Sequence, residues 1–127
     1  MSLNTVIRTL AALLSLATGL IHLVLLNVLF MRNTGSPLPD IPFTLNGLGF
    51  LVLAALLLLQ PARRARLNRA LPLILAAYSA LTIALWAVLN GDFTDPVGLV
   101  TKLIETVLVL TSLAVFFTHP ATPTEAP

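Results

Sequence analysis

Four apolar stretches, near residues 5–31, 43–60, 70–90 and 97–118, dominate the chain, and only short polar breaks part them. Each is close to the ~20 residues that a helix needs to cross the hydrocarbon core of a bilayer. Four such runs predict an all-α membrane protein, a bundle of four transmembrane helices in a single domain, residues 1–127. The composition agrees: 57% of residues are hydrophobic and only 9% are charged, against roughly 25% charged in an average soluble domain. Too little polar chain remains for a soluble catalytic module.

The breaks carry recognisable chemistry. "RNTGSPLPDIP" (32–42) holds Gly35, Pro37, Pro39 and Pro42, "QPARRARLNR" (60–69) is basic, and "NGDFTDPVG" (90–98) combines a turn dipeptide with Asp92, Asp95 and Pro96. The tail "THPATPTEAP" (118–127) predicts a short flexible end, 119–127, including His119. The amino terminus has the basic start and apolar run of a secretory signal, but the run is about a whole span long and is expected to stay as a helix.

Orientation follows from the basic residues. Arg63, Arg64, Arg66 and Arg69 cluster in the second break, which the positive-inside rule assigns to the cytoplasm. Both termini are then expected to be cytoplasmic, in a multi-pass protein of the bacterial inner membrane. Arg8 agrees and Arg32 dissents. The same arginines could meet anionic lipid headgroups. The net charge of +2 is accordingly read as topology; with no basic, aromatic-interleaved surface, nucleic acid is not an expected partner. There is no cysteine, which excludes disulfides, thiolate metal sites and thiol redox chemistry.

Polar residues inside a span are costly and default to functional hypotheses. At ~1.5 Å per helical residue, His22, Thr82 and Glu105 lie at a common depth of ~12 to 13 Å below the outer ends of their spans. Asn27, Asn46, Trp86 and Lys102 form a shallower layer at ~5 to 7 Å. Residues three and four apart share a helix face, so Ser15, Thr18, Gly19 and His22 form one inward stripe. Gly98, Lys102, Glu105, Thr106, Val109 and Ser112 form another, while span three offers Tyr78, Thr82 and Leu85 and span two Asn46, Gly49 and Phe50.

Each group has a structural reading beside a functional one. Lys102 and Glu105, three residues apart, can be an internal ion pair that fixes the bundle's register, or part of a site. His22 can be a packing hydrogen bond to Thr82 or Glu105. It can also be half of a proton-linked His–Glu pair, or a single ligand to a macrocycle or donor to a quinone carbonyl. Asn46 reads as a helix cap or bridge, Trp86 as part of an interfacial belt, and Gly19 and Gly49 as points of close helix approach.

"FTLNGLGFLVLAALLLL" (43–59), "AYSALTIALW" (77–86) and "TKLIETVLVL" (101–110) together make the chain resemble a group of uncharacterised small bacterial four-helix integral membrane proteins. These combine an L-N-G-x-G segment in helix two, Tyr and Thr ahead of Trp in helix three, and K-x-x-E in helix four. The resemblance covers roughly residues 20 to 115 and points at Asn46, Gly47, Gly49, Tyr78, Thr82, Trp86, Lys102 and Glu105. It implies no established activity. A vitamin K epoxide reductase-like enzyme needs cysteines, a di-haem cytochrome needs paired intramembrane histidines, and a small multidrug exporter carries its glutamate in span one.

No catalytic or metal-ligand set emerges, no cofactor is required, and an enzyme is the least expected outcome. The first expectation is a small accessory or structural subunit that packs against itself or a larger membrane complex. The alternative is a ligand-binding or proton-linked membrane protein, transporter-like or quinone- or pigment-binding. Its polar cavity would lie in the outer half, among His22, Asn46, Tyr78, Thr82, Trp86, Lys102 and Glu105.

Overall fold

The computed structural model describes residues 2–59, 65–89 and 91–118, with the backbone alone of 65 and 66. Arg63, Arg64, the side chain of Arg66 and the tail 119–127 lie outside the described residues. Among the described residues the structure is all-helical, with four helices each long and apolar enough to cross a membrane. We label them α1 (Leu3–Thr34), α2 (Ile41–Leu59), α3 (Ala65–Leu89) and α4 (Pro96–Thr118).

The helix ends follow from local chemistry. Ser2 accepts the Thr5 N–H at 3.2 Å at the start of α1, and Gly35, at φ 69°, closes the helix in the left-handed conformation that glycine tolerates. Asp40 caps α2 by accepting the Phe43 N–H at 2.9 Å, so of the two roles expected of Asn46, cap or bridge between helices, the cap falls to a residue six positions earlier in the chain. Asp95 caps α4, its two carboxylate oxygens taking the Val97 and Gly98 N–H groups. In α3 the helix begins at Ala65, earlier than the apolar run suggests, and carries Pro72 within it. Proline offers no N–H to the Asn68 carbonyl one turn back, yet Pro72 is fully buried in the packed interior.

Within α1, residues Ile21–Leu26 form a π-helical turn. An α-helical path would place Asn27 about 140° round from His22; the wider i→i+5 turn brings both to the inward face, and both are buried. Asn27 then ties α1 to the head of α2. Its amide donates to the Leu23 carbonyl and the Thr44 hydroxyl, and its oxygen accepts the Asp40 N–H at 2.8 Å.

Helix α1 packs against α2 and α4, and α3 packs against α4; of the four neighbouring pairs, α2 and α3 touch least. The α1–α2 crossing is close because it has no side chain in the way. A Cβ on Gly47 would sit 2.9 Å from the Gly19 carbonyl oxygen and 2.6 Å from Leu23, so this pair is the crossing point. Gly49, also expected to be a point of close approach, makes room for the Tyr78 ring of α3. Ser15 donates across the same α1–α2 interface to the Phe50 carbonyl at 2.8 Å.

The bundle has two unlike ends. At the end holding both termini, Asn4 of α1 reaches Thr118 of α4 at 3.2 Å, and Arg8 donates to the Leu57 carbonyl and to Asn68 Oδ1 at 3.0 Å. Ala11, Ala12, Leu57, Leu71, Leu75 and Leu108 fill the space above it. At the other end, bounded by the 35–40 and 91–95 connections, α2 and α3 part around a cavity.

Candidate polar cavity and carboxylate cluster

Glu105 of α4 is completely buried, and its partners come from α1, α3 and its own helix. Lys102 lies one turn earlier, and its Nζ donates to Glu105 Oε2 at 2.7 Å. The Thr82 hydroxyl of α3 reaches the same oxygen at 2.9 Å and the Ser79 carbonyl at 2.8 Å. On the other side, His22 Nε2 of α1 stands 3.6 Å from Oε1, and Oε1 makes no hydrogen bond. Four of the residues singled out in the sequence thus meet in one cluster, with a carboxylate at its centre.

The histidine is oriented from behind. Its Nδ1 lies 2.9 Å from the Thr18 carbonyl oxygen, and a carbonyl can only accept, so Nδ1 carries the hydrogen. In the neutral imidazole Nε2 is then a bare acceptor facing a carboxylate oxygen. Two acceptors repel, and 3.6 Å is beyond hydrogen-bond length. Phe50 and Phe43 hold the ring in place, at centroid distances of 5.9 and 6.4 Å.

In front of this cluster lies a partly open cavity of about 520 Å³. Its deep wall is His22, Tyr78, Thr82 and Lys102; its upper wall is Trp86, Gly98 and Thr101; Asp40 and Asp95 stand at its mouth. Glu105 is not part of the lining and sits behind His22, Thr82 and Lys102. Lys102 keeps 12% of its side chain exposed. Along the gap between α2 and α3 the lining is apolar, with Pro42, Phe43 and Leu45 on one side and Leu81, Leu85 and Leu89 on the other. All three α3 leucines and Leu45 are exposed on the outer face of the bundle as well. The cavity is therefore open along the gap between α2 and α3.

Asn46 and Tyr78 form the floor on the α2–α3 side. The Tyr78 hydroxyl donates to the Asn46 backbone carbonyl at 3.3 Å, its ring packs edge-on against Phe50 at 4.9 Å, and Asn46 Oδ1 is buried without a partner. Trp86 packs against Phe93 at 5.2 Å and borders Gly98. It is half-buried and lines the cavity. Arg69 lies at the opposite end, its guanidinium 5.5 Å over the Phe116 ring.

A family model matches residues 2–116 of the chain. The chain belongs to a family of unknown function, DUF7475. No curated protein and no solved structure matches it. The DUF7475 match takes in all four helices but for the last two residues of α4, and so includes the cluster and every residue that lines the cavity.

Three features of the site escape a reading by spacing. The π turn that turns both His22 and Asn27 inward has no side-chain signature. The inward face of α4 runs through Gly98, Thr101, Glu105, Leu108 and Ser112, which leaves Thr106 exposed and Lys102 at the edge. Thr18 Oγ1 and Ser112 Oγ are buried without partners; spacing put both residues on inward stripes but could not show that their hydroxyls lack a partner.

Proposed function

We propose that this DUF7475 member is an integral membrane protein that takes an amphiphilic small molecule from the bilayer into the cavity between α2 and α3. The supporting observation is the cavity itself, with a polar deep wall and an apolar side gap. A ligand of matching design has a polar head and an apolar body: the head reaches Lys102 and His22, and the body lies along Leu45, Leu81 and Leu85 toward the lipid. Volumes of 300–1,000 Å³ are usual for small-molecule sites.

The arginines at 63, 64, 66 and 69 support cytoplasmic termini, which puts the cavity in the outer half of a bacterial inner membrane. Because the chain has no cysteine, Asp92→Cys introduces a unique thiol. Labelling it with a membrane-impermeant maleimide from outside intact cells supports this orientation; labelling only after lysis reverses it.

Trp86 is the sole tryptophan and borders the cavity, so it reports occupancy directly. Protein in bilayer discs is titrated with single-chain amphiphiles carrying bromine on the tail, against the same lipid without protein. Saturable quenching of Trp86 is the expected result. Quenching that merely tracks the amount of amphiphile in the membrane removes the ligand reading.

The accessory-subunit reading draws on the direct Lys102–Glu105 pair, which satisfies both charges inside one bundle. It gives the cavity no task, and it is the reading left standing when Trp86 shows no saturable quenching.

A further inference from the structure

We propose that the occupant of the cavity is a single-chain amphiphile with an anionic oxygen head, and that its binding takes up one proton onto the His22–Glu105 pair. The inference rests on the cavity being a ligand site and adds the charge of the head and its coupling to pH.

The geometry sets the coupling. His22 is fixed by the Thr18 carbonyl with Nδ1–H behind and Nε2 in front. Nε2 faces Glu105 Oε1, a buried oxygen with no hydrogen bond. One proton on Nε2 converts two facing acceptors into a donor and an acceptor, satisfying an atom whose isolation costs about 1–3 kcal/mol. The proton comes from solution through the cavity mouth; Nε2 gains the N–H bond, and the ring becomes an imidazolium beside a carboxylate.

The charges then select the ligand. With His22 neutral, Lys102 and Glu105 cancel and the deep wall carries no net charge. With His22 protonated, two cations face one carboxylate, so the wall carries one net positive charge next to the cavity. An anionic head supplies the balancing charge, and the Lys102 ammonium, with one of its three hydrogens on Glu105, has two left to offer it. By linkage, whatever the proton does for the anion, the anion does for the proton.

The groups facing His22 are these. From α4 come Glu105 and Lys102; from α3, the Tyr78 phenol and the Thr82 hydroxyl; from α2, the Phe43 and Phe50 rings. Asp40 and Asp95 share the cavity at its mouth. Each is engaged with the N–H groups that open its helix, where the helix dipole balances part of the charge, so neither stands free to exclude an anion from the deep wall.

The test uses the full chain in bilayer discs and a bromine-tailed alkyl sulfonate, whose head stays singly negative across pH 5 to 9. Two controls of equal chain length, the alcohol and the trimethylammonium, carry no charge and the opposite charge. Trp86 quenching gives the apparent Kd of each. The expected result is tighter sulfonate binding at low pH, weakening by up to about tenfold per pH unit as one proton is released, with flat profiles for both controls. His22→Gln and Glu105→Gln each flatten the sulfonate profile. Because a variant can fail to fold, the wild-type profiles decide on their own. Alkyl carboxylate and alkyl phosphate, compared at one pH, separate the two common sources of such a head; tighter binding of either than of the alcohol supports the proposal.

Saturable quenching by all three probes with equal, pH-independent affinity overturns the proton-coupled anion site while leaving the cavity a ligand site. Tightest binding of the trimethylammonium overturns it as well. Absence of saturable quenching by any probe removes the cavity reading and this inference with it.

Discussion

The two ends of the bundle are made by the same four helices and have opposite characters. At the end with the termini, small residues Ala11, Ala12 and Ser15 let α1 lie close to its neighbours, Leu57, Leu71, Leu75 and Leu108 fill the centre, and Arg8 is spent on Leu57 and Asn68. At the other end, the charges converge on Glu105 and α2 parts from α3. Between lipid-immersed helices there is little hydrophobic drive, so association depends on packing and interhelical hydrogen bonds. Both ends use interhelical hydrogen bonds, but only the closed end adds a filled apolar centre, and the open end is left with a cavity.

Glu105 should be where that contrast breaks most severely. Glu105→Leu leaves the Lys102 ammonium buried without its carboxylate, and removing one partner of a buried ion pair costs about 3–5 kcal/mol. Adding Lys102→Leu should restore most of the loss. Unfolding of the single and double variants in detergent, followed by near-UV dichroism, checks both, and a single variant as stable as wild type would show that the pair does not hold the open end together.

Packing gives the next largest difference. Leu75→Ala at the closed end removes a fully buried side chain and should cost about 2–5 kcal/mol. Leu85→Ala, whose side chain is half exposed beside the cavity, should stay within about 0.5 kcal/mol. Equal losses in the two, measured the same way, would mean that the ends are packed alike.

Thr82→Val removes the hydroxyl shared between Glu105 and the Ser79 carbonyl. Intramembrane hydrogen bonds average about 0.6 kcal/mol, and a loss of that order is expected, with Lys102 still on the same carboxylate oxygen. The smallest effect is at the 91–95 connection. There the Thr94 hydroxyl and N–H, both donating to Asp92, hold its carboxyl below the usual carboxylate range. A carboxyl depressed in the folded state adds stability above its unfolded pKa and loses it as pH falls through the folded one. Thr94→Ala should therefore move the Asp92 carboxyl titration upward, read by carbon NMR, with no change at the cluster.

Much of this was legible from sequence because span length and helical rise are simple constraints. Counting residues inward from the span ends put His22, Thr82 and Glu105 at one depth, and the structure brings those side chains within a few ångströms of each other. Azimuth was harder. A stripe drawn at three and four residues includes Thr106, whereas α4 buries Thr101 and leaves Thr106 outside. The direction of a helix face depends on which neighbour it meets, and neighbours are a tertiary property. The π turn lies deeper still, since it depends on backbone register rather than side chains, and without it Asn27 could not reach Thr44 and Asp40. Arg8, read as a flanking charge that marks the cytoplasmic side, sits inside α1 and is used on Leu57 and Asn68, because its long stem carries the guanidinium across to polar atoms on α2 and α3. Helix α3 likewise begins before its apolar run, because helix geometry does not require an apolar residue at every position.

The central claim is that the gap between α2 and α3 admits an amphiphile with its head toward Lys102 and His22. Anomalous diffraction from crystals grown with a bromine-tailed alkyl sulfonate tests it most directly. The account predicts a bromine peak in the side gap near Leu45 and Leu81, with the head density against Lys102. Bromine found only on the outer surfaces of α1 and α4, with the cavity unchanged, would contradict it.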